Sequence, residues 1–510
     1  MKRLPLILTL VAILAATSCS TKKNTAFNRR YQAFTTKYNV YYNGIEHYKE
    51  TLKDMETKYE DDYSSLVLMH PAEAKNYPKA PQPEGSFTRS IEKAQKAIQL
   101  HSIKKRPKRK SGKADATYKA WLKREEFNPF IHNAWMLMGK SQYMNGDFLG
   151  AASTFYYISK HFTWLPETVL EAELWQSRSY SAMEWTYEAE NLLVHVKPAD
   201  LTTKKLIEAY NFAYADYYTK TADKTKAIPY LATAASLAKG SQKTRLNFLL
   251  GQLYALDGNR DLAYKAYGVA AGSNSAPYRT KFNARIKQSE VYAGKNIEPE
   301  VKALKRMTRY GRNKEYLDQI YYAIGNLYLT RNDTVHAVEN YVLANEKSTR
   351  NGIDKAINNI TLGGIYFDQH LYDKAQPCYT EALPQLPETY PNYEALKRRS
   401  SVLDELAVYS QNVTLQDSLL RLSAMTEEQQ LKIVNKIIDD LKKKEKEEAE
   451  QAQMEEYLAK QGAAGNGLNQ NAANAPKSFV MNSDNSWYFY NTSVRNAGKA
   501  EFQKRWGSRK

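Results

Sequence analysis

A chain of 510 residues, 43% hydrophobic and 25% charged, carries a formal net charge of +18. Such a balance excludes a disordered or low-complexity chain, and the length suits several domains or one extended array. Two cysteines, Cys19 and Cys378, exclude a disulfide-stapled framework.

The N-terminus reads "MKRLPLILTLVAILAATSC": Lys2 and Arg3, an apolar run from Leu4 to Ala16, then small residues before Cys19. Positive end, apolar run and small residues in that order predict a signal peptide, and the run is shorter than the roughly 20 residues that span a bilayer. The junction resembles a bacterial lipoprotein signal, which makes residues 1–18 the leader and Cys19 the lipid attachment site. Ala16 stands where such signals usually have leucine. Several acyl chains, at about 0.8 kcal/mol per buried CH₂, anchor stably where one is marginal. Residues 19–26 then form a tether. No acidic residue lies between Cys19 and Glu46. Surface-exported lipoproteins of Bacteroidetes-type bacteria usually carry acids there, so the expected location is the outer membrane, lipid-anchored and facing the periplasm.

Residues 27–125 read as an N-terminal helical region. "RRYQAFTTKYNVYYNGIEHYKETLKDM" has apolar and aromatic residues at helical spacing, and Gly44 predicts a turn within a helix pair. "MHPAEAKNYPKAPQPEGS" has four prolines in eighteen residues and predicts a loop, after which "SFTRSIEKAQKAIQLHSI" returns to helix. "KKRPKRK" then places six cations in seven positions: Lys104, Lys105, Arg106, Lys108, Arg109 and Lys110. They fall in a connector broken by Pro and Gly that extends to residue 130. A basic run attracts any polyanion. An exported chain does not meet nucleic acid, so the expected contact is an acidic partner or the membrane, with a solvated loop as the alternative.

Residues 126–424 carry a repeat. Gly251, Tyr254, Ala263, Tyr267 and Ala270 recur as Gly325, Tyr328, Ala337, Tyr341 and Ala344, and as Gly363, Tyr366, Ala375, Tyr379 and Ala382. Weaker copies supply Trp135, Gly139, Tyr143, Ala151 and Phe155, and then Ala215, Tyr218, Ala227 and Ala234. The glycine-site positions run 139, 177, 215, 251, 289, 325 and 363, each step being 36 or 38 residues. The pattern resembles the tetratricopeptide repeat, whose usual period is about 34 residues. The resemblance implies an all-α superhelix of about seven helix pairs with a concave surface, its aromatics packed between helices.

"EALKRRSSVLDELAVYSQNVTLQDSLLRLSAM" predicts a terminal helix pair. Residues 425–460 predict a long helix, charged all round from about Lys442, and residues 461–480 a low-complexity linker. Residues 481–510 end the chain with Trp487, Tyr488, Phe489, Phe502, Arg505 and Trp506. Aromatic and Arg side chains dominate interface energetics, so these six are expected to dock a partner, or else to fold back as a cap.

The eight histidines are dispersed, and no HExxH, Walker or GxGxxG pattern occurs. "SIEK" at 90–93 and "SQN" at 410–412 match two elements of penicillin-interacting serine enzymes, but the third, KTG, is missing. No catalytic residue, cofactor or metal is expected. Beyond the repeat, "RYQAFTTKYNVYYNG", "SIKKRPKRK", "YKAWLKREEFNPFIHNAWMLMGKSQYMNGDFLGAASTFYYI", "LQDSLLRLSAM", "WYFYN" and "AGKAEFQKRWGSRK" together resemble the PorW/SprE lipoproteins of the Bacteroidetes type IX secretion and gliding apparatus. The resemblance implies a scaffold linking a periplasmic ring to an outer-membrane translocon, with those machinery proteins as partners. The alternatives are a SusD-type glycan-binding lipoprotein, which predicts large loop insertions and an exposed aromatic platform, and a lipoprotein of outer-membrane protein assembly.

Overall fold

The structure, a computed structural model, describes residues 23–464 apart from 64, 109–111, 113–114, 222, 350–351 and 389. Every regular element among the described residues is helical. Contacts divide the chain into two compact units, residues 1–411 and 412–510.

The first unit holds seven consecutive helix pairs. They are α5 (Ile131–Asn145) with α6 (Phe148–His161), α7 (Pro166–Ala182) with α8 (Thr186–Leu193), and α9 (Lys204–Lys220) with α10 (Ala227–Leu237). Next come α11 (Gly240–Leu256) with α12 (Arg260–Ala271), and α13 (Tyr278–Glu290) with α14 (Glu298–Met307). The last are α15 (Leu317–Leu329) with α16 (Thr334–Lys347) and α17 (Ile353–Asp368) with α18 (Tyr372–Ala382). Each glycine-site position lies in the first helix of its pair, and each helix packs mainly on its sequence neighbours.

The glycine site is explained by the ring across from it. A Cβ on Gly139 would stand 2.7 Å from the Phe155 ring, one on Gly251 2.7 Å from Tyr267, one on Gly325 2.5 Å from Tyr341, and one on Gly363 2.9 Å from Tyr379. The second helix therefore presses an aromatic face onto bare backbone, and the ring is buried in all four pairs. Where the site holds Ser177 or Ala215, the equivalent second-helix residue is the smaller Leu193 or Leu231, also buried. Ala151, Ala215, Ala227, Ala263, Ala337 and Ala375 are fully buried at helix contacts, whereas Tyr254, Tyr328 and Tyr366 are half-buried.

The turns repeat as well. The residue seven positions after the glycine site is left-handed in five pairs: Gly146 (φ 88°), Glu184 (62°), Gly258 (79°), Asn332 (59°) and His370 (60°). The next residue starts the second helix, and in three pairs its side chain caps it: Asp147 accepts from Gly150 N, Asn259 from Leu262 N and Asp333 from His336 N.

Two expectations are corrected. The N-terminal segment is not a pair turned at Gly44. It runs as α1 (Ala26–Thr35), a π-helical stretch Thr36–Tyr41 and α2 (Tyr42–Lys58), whose partner is α3 (Thr88–His101). Gly44 lies inside α2, where a Cβ would stand 3.0 Å from Lys93 Cβ; it is a close-packing site, and its carbonyl accepts from Ser90 Oγ at 3.1 Å. Within the basic connector, Asp115 caps a short helix α4 (Ala116–Leu122) by accepting from Tyr118 N. The expected terminal pair is a single helix α19 (Tyr393–Ser423), since no Gly or Pro interrupts those 31 residues.

In the second unit, Gln430 Nε2 donates to Leu422 O across the turn into α20 (Glu427–Ala464). Leu431, Val434, Ile438 and Leu441 lie exposed at three- and four-residue spacing along α20.

Candidate functional site: a face partly filled by the chain itself

The first helices of the pairs share a face, and the N-terminal region covers much of it. Tyr48 and Leu52 of α2 join the core built around Leu137 and Trp175. The loop between α2 and α3, predicted only as loop, is deeply buried at Met69, His70, Ala72, Glu73 and Ala74, the last three within a 3-10 turn Pro71–Asn76.

Gln242, Arg245, Phe248 and Gln252 recur at three- and four-residue spacing, so they line one side of α11. All four hold the loop. Gln252 is a two-ended clamp: its Oε1 accepts from Val67 N at 3.0 Å and its Nε2 donates to Ser65 O at 2.7 Å. Gln242 Nε2 donates to Met69 O at 2.7 Å, and Phe248 meets the Tyr63 ring edge-on, centroids 5.1 Å apart. Arg245 pairs with Asp61 at 2.5 Å and lies over the Tyr59 ring. Burial alone would lower the Arg245 guanidinium, but Asp61 beside it leaves it raised. On α13, the Thr280 and Tyr63 hydroxyls hydrogen-bond at 2.8 Å.

The loop's other end is held by charge. Glu73 and Asp216 of α9 are fully buried, and Lys220 bridges them at 2.8 and 2.7 Å. Burial, then the Asp216 charge, pushes the Glu73 carboxyl above its ordinary range. Burial pulls the Lys220 ammonium down, yet the two carboxylates outweigh it and leave it raised. The Tyr77 hydroxyl closes the contact on Glu184 at 2.8 Å. Nearby, Glu171 takes Lys140 at 2.6 Å and Lys205 at 2.7 Å; burial would raise its carboxyl, but the two lysines leave it lowered.

Beyond Tyr63 the same face is open. A cleft of about 750 Å³ is lined by the first helices α13, α15 and α17 and closed at one side by Asp61, Asp62 and Tyr63. Asn283, Ile286 and Glu290 of α13, and Gln319, Tyr322 and Asn326 of α15, stand at the repeat positions that Arg245, Phe248 and Gln252 occupy in α11. Tyr341 OH donates to Asn326 Oδ1 at 2.7 Å, and Gln319 bonds Asp354 at 2.5 Å. Buried Asn358 donates through Nδ2 to Tyr341 O and Asn345 Oδ1, while its buried Oδ1 accepts no hydrogen bond; Arg279, another lining residue, has its guanidinium over the Tyr316 ring and a buried Nη1 without a hydrogen bond.

The sequence-predicted contact residues lie elsewhere. Lys104, Lys105, Arg106 and Lys108 are exposed in coil, and Asn24 Nδ2 donates to Lys105 O at 2.7 Å. Their strand of coil is pinned just before them, where Glu126 accepts from Ile103 N at 2.8 Å. Cys19, Arg109, Lys110, Trp487, Tyr488, Phe489, Phe502, Arg505 and Trp506 lie outside the described residues. Cys378 is a buried thiol that burial, then Glu381, pushes up to about 12, which makes it a poor nucleophile. Among the described residues no group of three or more His, Cys, Asp or Glu side chains is placed to hold a metal, and no helix is long and apolar enough to cross a membrane.

A second exposed feature is aromatic. Phe27, Tyr31, Phe34, Tyr38 and Tyr42, each more than half exposed, follow one another at three- and four-residue spacing along α1 and its continuation. Phe27 stacks on Tyr31, and the Lys37 ammonium lies over the Tyr38 ring. The sequence holds these residues in plain view, but their exposure depends on which side of the helix α3 covers. No protein-family model matches the chain, and a comparison with curated proteins found no match.

Proposed function

We propose that the protein is a lipid-anchored scaffold of the outer membrane, facing the periplasm, that joins components of a type IX secretion machine. In this reading the seven pairs form a tetratricopeptide-like superhelix, and the chain has no catalytic activity, cofactor or nucleic-acid ligand. The observation that carries it is the exposed aromatic stripe from Phe27 to Tyr42, interleaved with Arg29, Arg30 and Lys37, along α1 and its continuation into α2. Aromatic rings and cations suit the headgroup layer of a membrane, so an acyl group on Cys19 and this stripe would hold the array against it. Helix pairs stacked on their neighbours then offer long faces to protein partners. The exposed cations from Lys104 to Lys108 supply a contact for an acidic partner, and the aromatic tail supplies another.

Crosslinking the native cell envelope and identifying what co-purifies with a tagged full-length chain tests the proposal. Ring and translocon components in the eluate are the expected result; a glycan transporter, or neither, overturns it. Radiolabelled palmitate should label the wild type and not Cys19→Ala, and label on that variant would remove the anchor from the reading.

A further inference from the structure

We infer that the aromatic stripe of α1 and the basic run after α3 form one surface, which binds the anionic lipid of a bilayer without help from an acyl group. The inference deepens the membrane placement proposed above and rests on it: the acidic partner of the exposed cations is the bilayer itself.

The two features are distant in sequence and meet at Asn24. Its Nδ2 donates to Lys105 O at 2.7 Å, and its Oδ1 accepts from Arg29 Nη1 at 2.6 Å. The Arg29 guanidinium lies over the Trp121 ring, 5.0 Å from the centroid, which ties the start of α1 to the basic run and to α4 together. The run itself leaves a fixed base. Ile103 is buried, its N donates to Glu126 at 2.8 Å, and its O accepts from Phe127 N at 3.0 Å. Lys104, Lys105, Arg106 and Lys108 therefore stand exposed on anchored backbone beside the N-terminal end of α1. Along the helix, exposed Arg30 follows Phe27 by three residues and exposed Lys37 follows Phe34 by three, so both cations share the face of the rings.

Charge and residue type then select the ligand. Neither residues 20–45 nor residues 93–114, the two segments that build the surface, contain an Asp or Glu. The acids that border them are engaged or turned away: Glu46 takes Lys49 at 2.8 Å, Asp115 caps α4, and buried Glu126 accepts from the N–H groups of Ile103, Phe127 and Asn128. Glu92 lies near the start of α3, whose other end, at His101, meets Gln32 of α1. A second copy of the chain would bring the same cations to the contact and be repelled. An acidic protein would match the charge, but Lys23, Lys37, Lys104, Lys105 and Lys108 outnumber Arg30 and Arg106, and lysine is the cation that protein interfaces disfavour. An anionic bilayer suits both halves of the surface. Lysine stems keep their ammonium groups among the phosphates, and Phe and Tyr rings occupy the boundary between headgroup and acyl chain. The rings run in a line along the helix, as in a helix lying in the plane of the interface. Lys23 is four residues from Cys19, at most about 14 Å of extended chain, so an acyl group there would deliver this surface to the bilayer.

The test uses residues 20–510, which carry neither leader nor acyl group and keep every described helix. Co-sedimentation is measured with vesicles of phosphatidylcholine alone and with vesicles containing about one-third phosphatidylglycerol. Binding should be at least tenfold tighter on the anionic vesicles and should weaken as salt rises. Lys104→Gln, Lys105→Gln, Arg106→Gln and Lys108→Gln together should abolish that preference. Lys224→Gln, Lys265→Gln, Lys302→Gln and Lys305→Gln, an equal loss of charge at exposed lysines elsewhere in the array, should leave it intact. Phe27→Ser with Phe34→Ser should weaken binding to the anionic vesicles at least tenfold although every cation remains. If melting by circular dichroism shows that this double variant has lost its fold, Phe27→Ala alone takes its place. An NBD fluorophore on Phe34→Cys should brighten on anionic vesicles and one on Tyr187→Cys should not, Cys378 being buried away from the label. Equal binding to the two kinds of vesicle, indifference to either set of surface substitutions, or an unchanged NBD signal overturns the inference. A basic-run variant that still sediments but loses an acidic protein from the envelope eluate overturns it too, and assigns the cations to that protein. No acyl group takes part, so palmitate labelling of Cys19 and co-purification from the envelope can each fail or succeed independently of the vesicle result.

Discussion

The two stretches of the first-helix face differ in what satisfies them. Over α9 and α11 the polar side chains are matched by residues 59–77 of the same chain, down to a lysine shared by two buried carboxylates. Over α15 the same repeat positions bond to neighbouring helices instead, Gln319 to Asp354 of α17 and Asn326 to Tyr341 of α16. One scaffold thus carries a filled section and an open one. A repeat fixes where the face is; what lies on it is set by a loop outside the repeat.

The sharpest way to break the comparison is to remove the shared cation. Lys220→Met removes the ammonium that bridges buried Glu73 and Asp216 and should cost about 3–5 kcal/mol in urea unfolding. In the open section Lys287→Met touches a half-exposed pair with Glu290 and should change stability by less than about 0.5 kcal/mol. Equal losses would mean that the loop is not an energetic part of the array.

Glycine sites should ignore the distinction. Gly251→Ala, under the filled section, and Gly325→Ala, under the open one, each drive a methyl into a tyrosine ring and should each cost about 1–3 kcal/mol. A large difference between them would show that the helix pairs are not equivalent. Gln252→Ala is milder, removing both amide bonds to the loop for about 1–2 kcal/mol. Hydrogen exchange should quicken at Val67 and leave residues 320–345 unchanged.

The pH response is the smallest effect and has opposite signs for two buried carboxyls. Glu73 is raised in the fold, so its contribution is present below the ordinary carboxylate range and is lost as pH rises through the raised value. Glu171 is lowered, so its contribution is present above that range and is lost as pH falls through the lowered value. Glu171→Gln should therefore flatten the acid side of a stability-versus-pH curve, and Glu73→Gln the opposite side.

Much of the helical array was legible because close packing leaves a mark in residue size. Gly139, Gly251, Gly325 and Gly363 recur with an aromatic sixteen residues later, and that pairing is the contact itself. The N-terminal region was less legible. Gly44 reads as a turn because a glycine in a helix and a glycine in a turn look alike in sequence, and only Lys93 and Leu137 against it distinguish them. The uninterrupted α19 was missed because a pair was expected wherever the repeat had set the rhythm.

The candidate site was hardly legible at all. Gln252, Arg245 and Lys220 are ordinary polar residues between the repeat's signature positions, and the one available signal was that the position after each glycine site is usually polar: Lys140, Arg178, Asp216, Gln252, Glu290 and Asn326. Periodicity records which residues face a neighbouring helix, because those contacts are local and repeat with the chain. It does not record a loop that comes from 185 residues away to meet Gln252. The sequence by itself determined the helix pairs, their step and their buried seams. Only the tertiary structure decided which part of their common face the chain fills and which part it leaves open, since that depends on long-range contacts that no local pattern encodes.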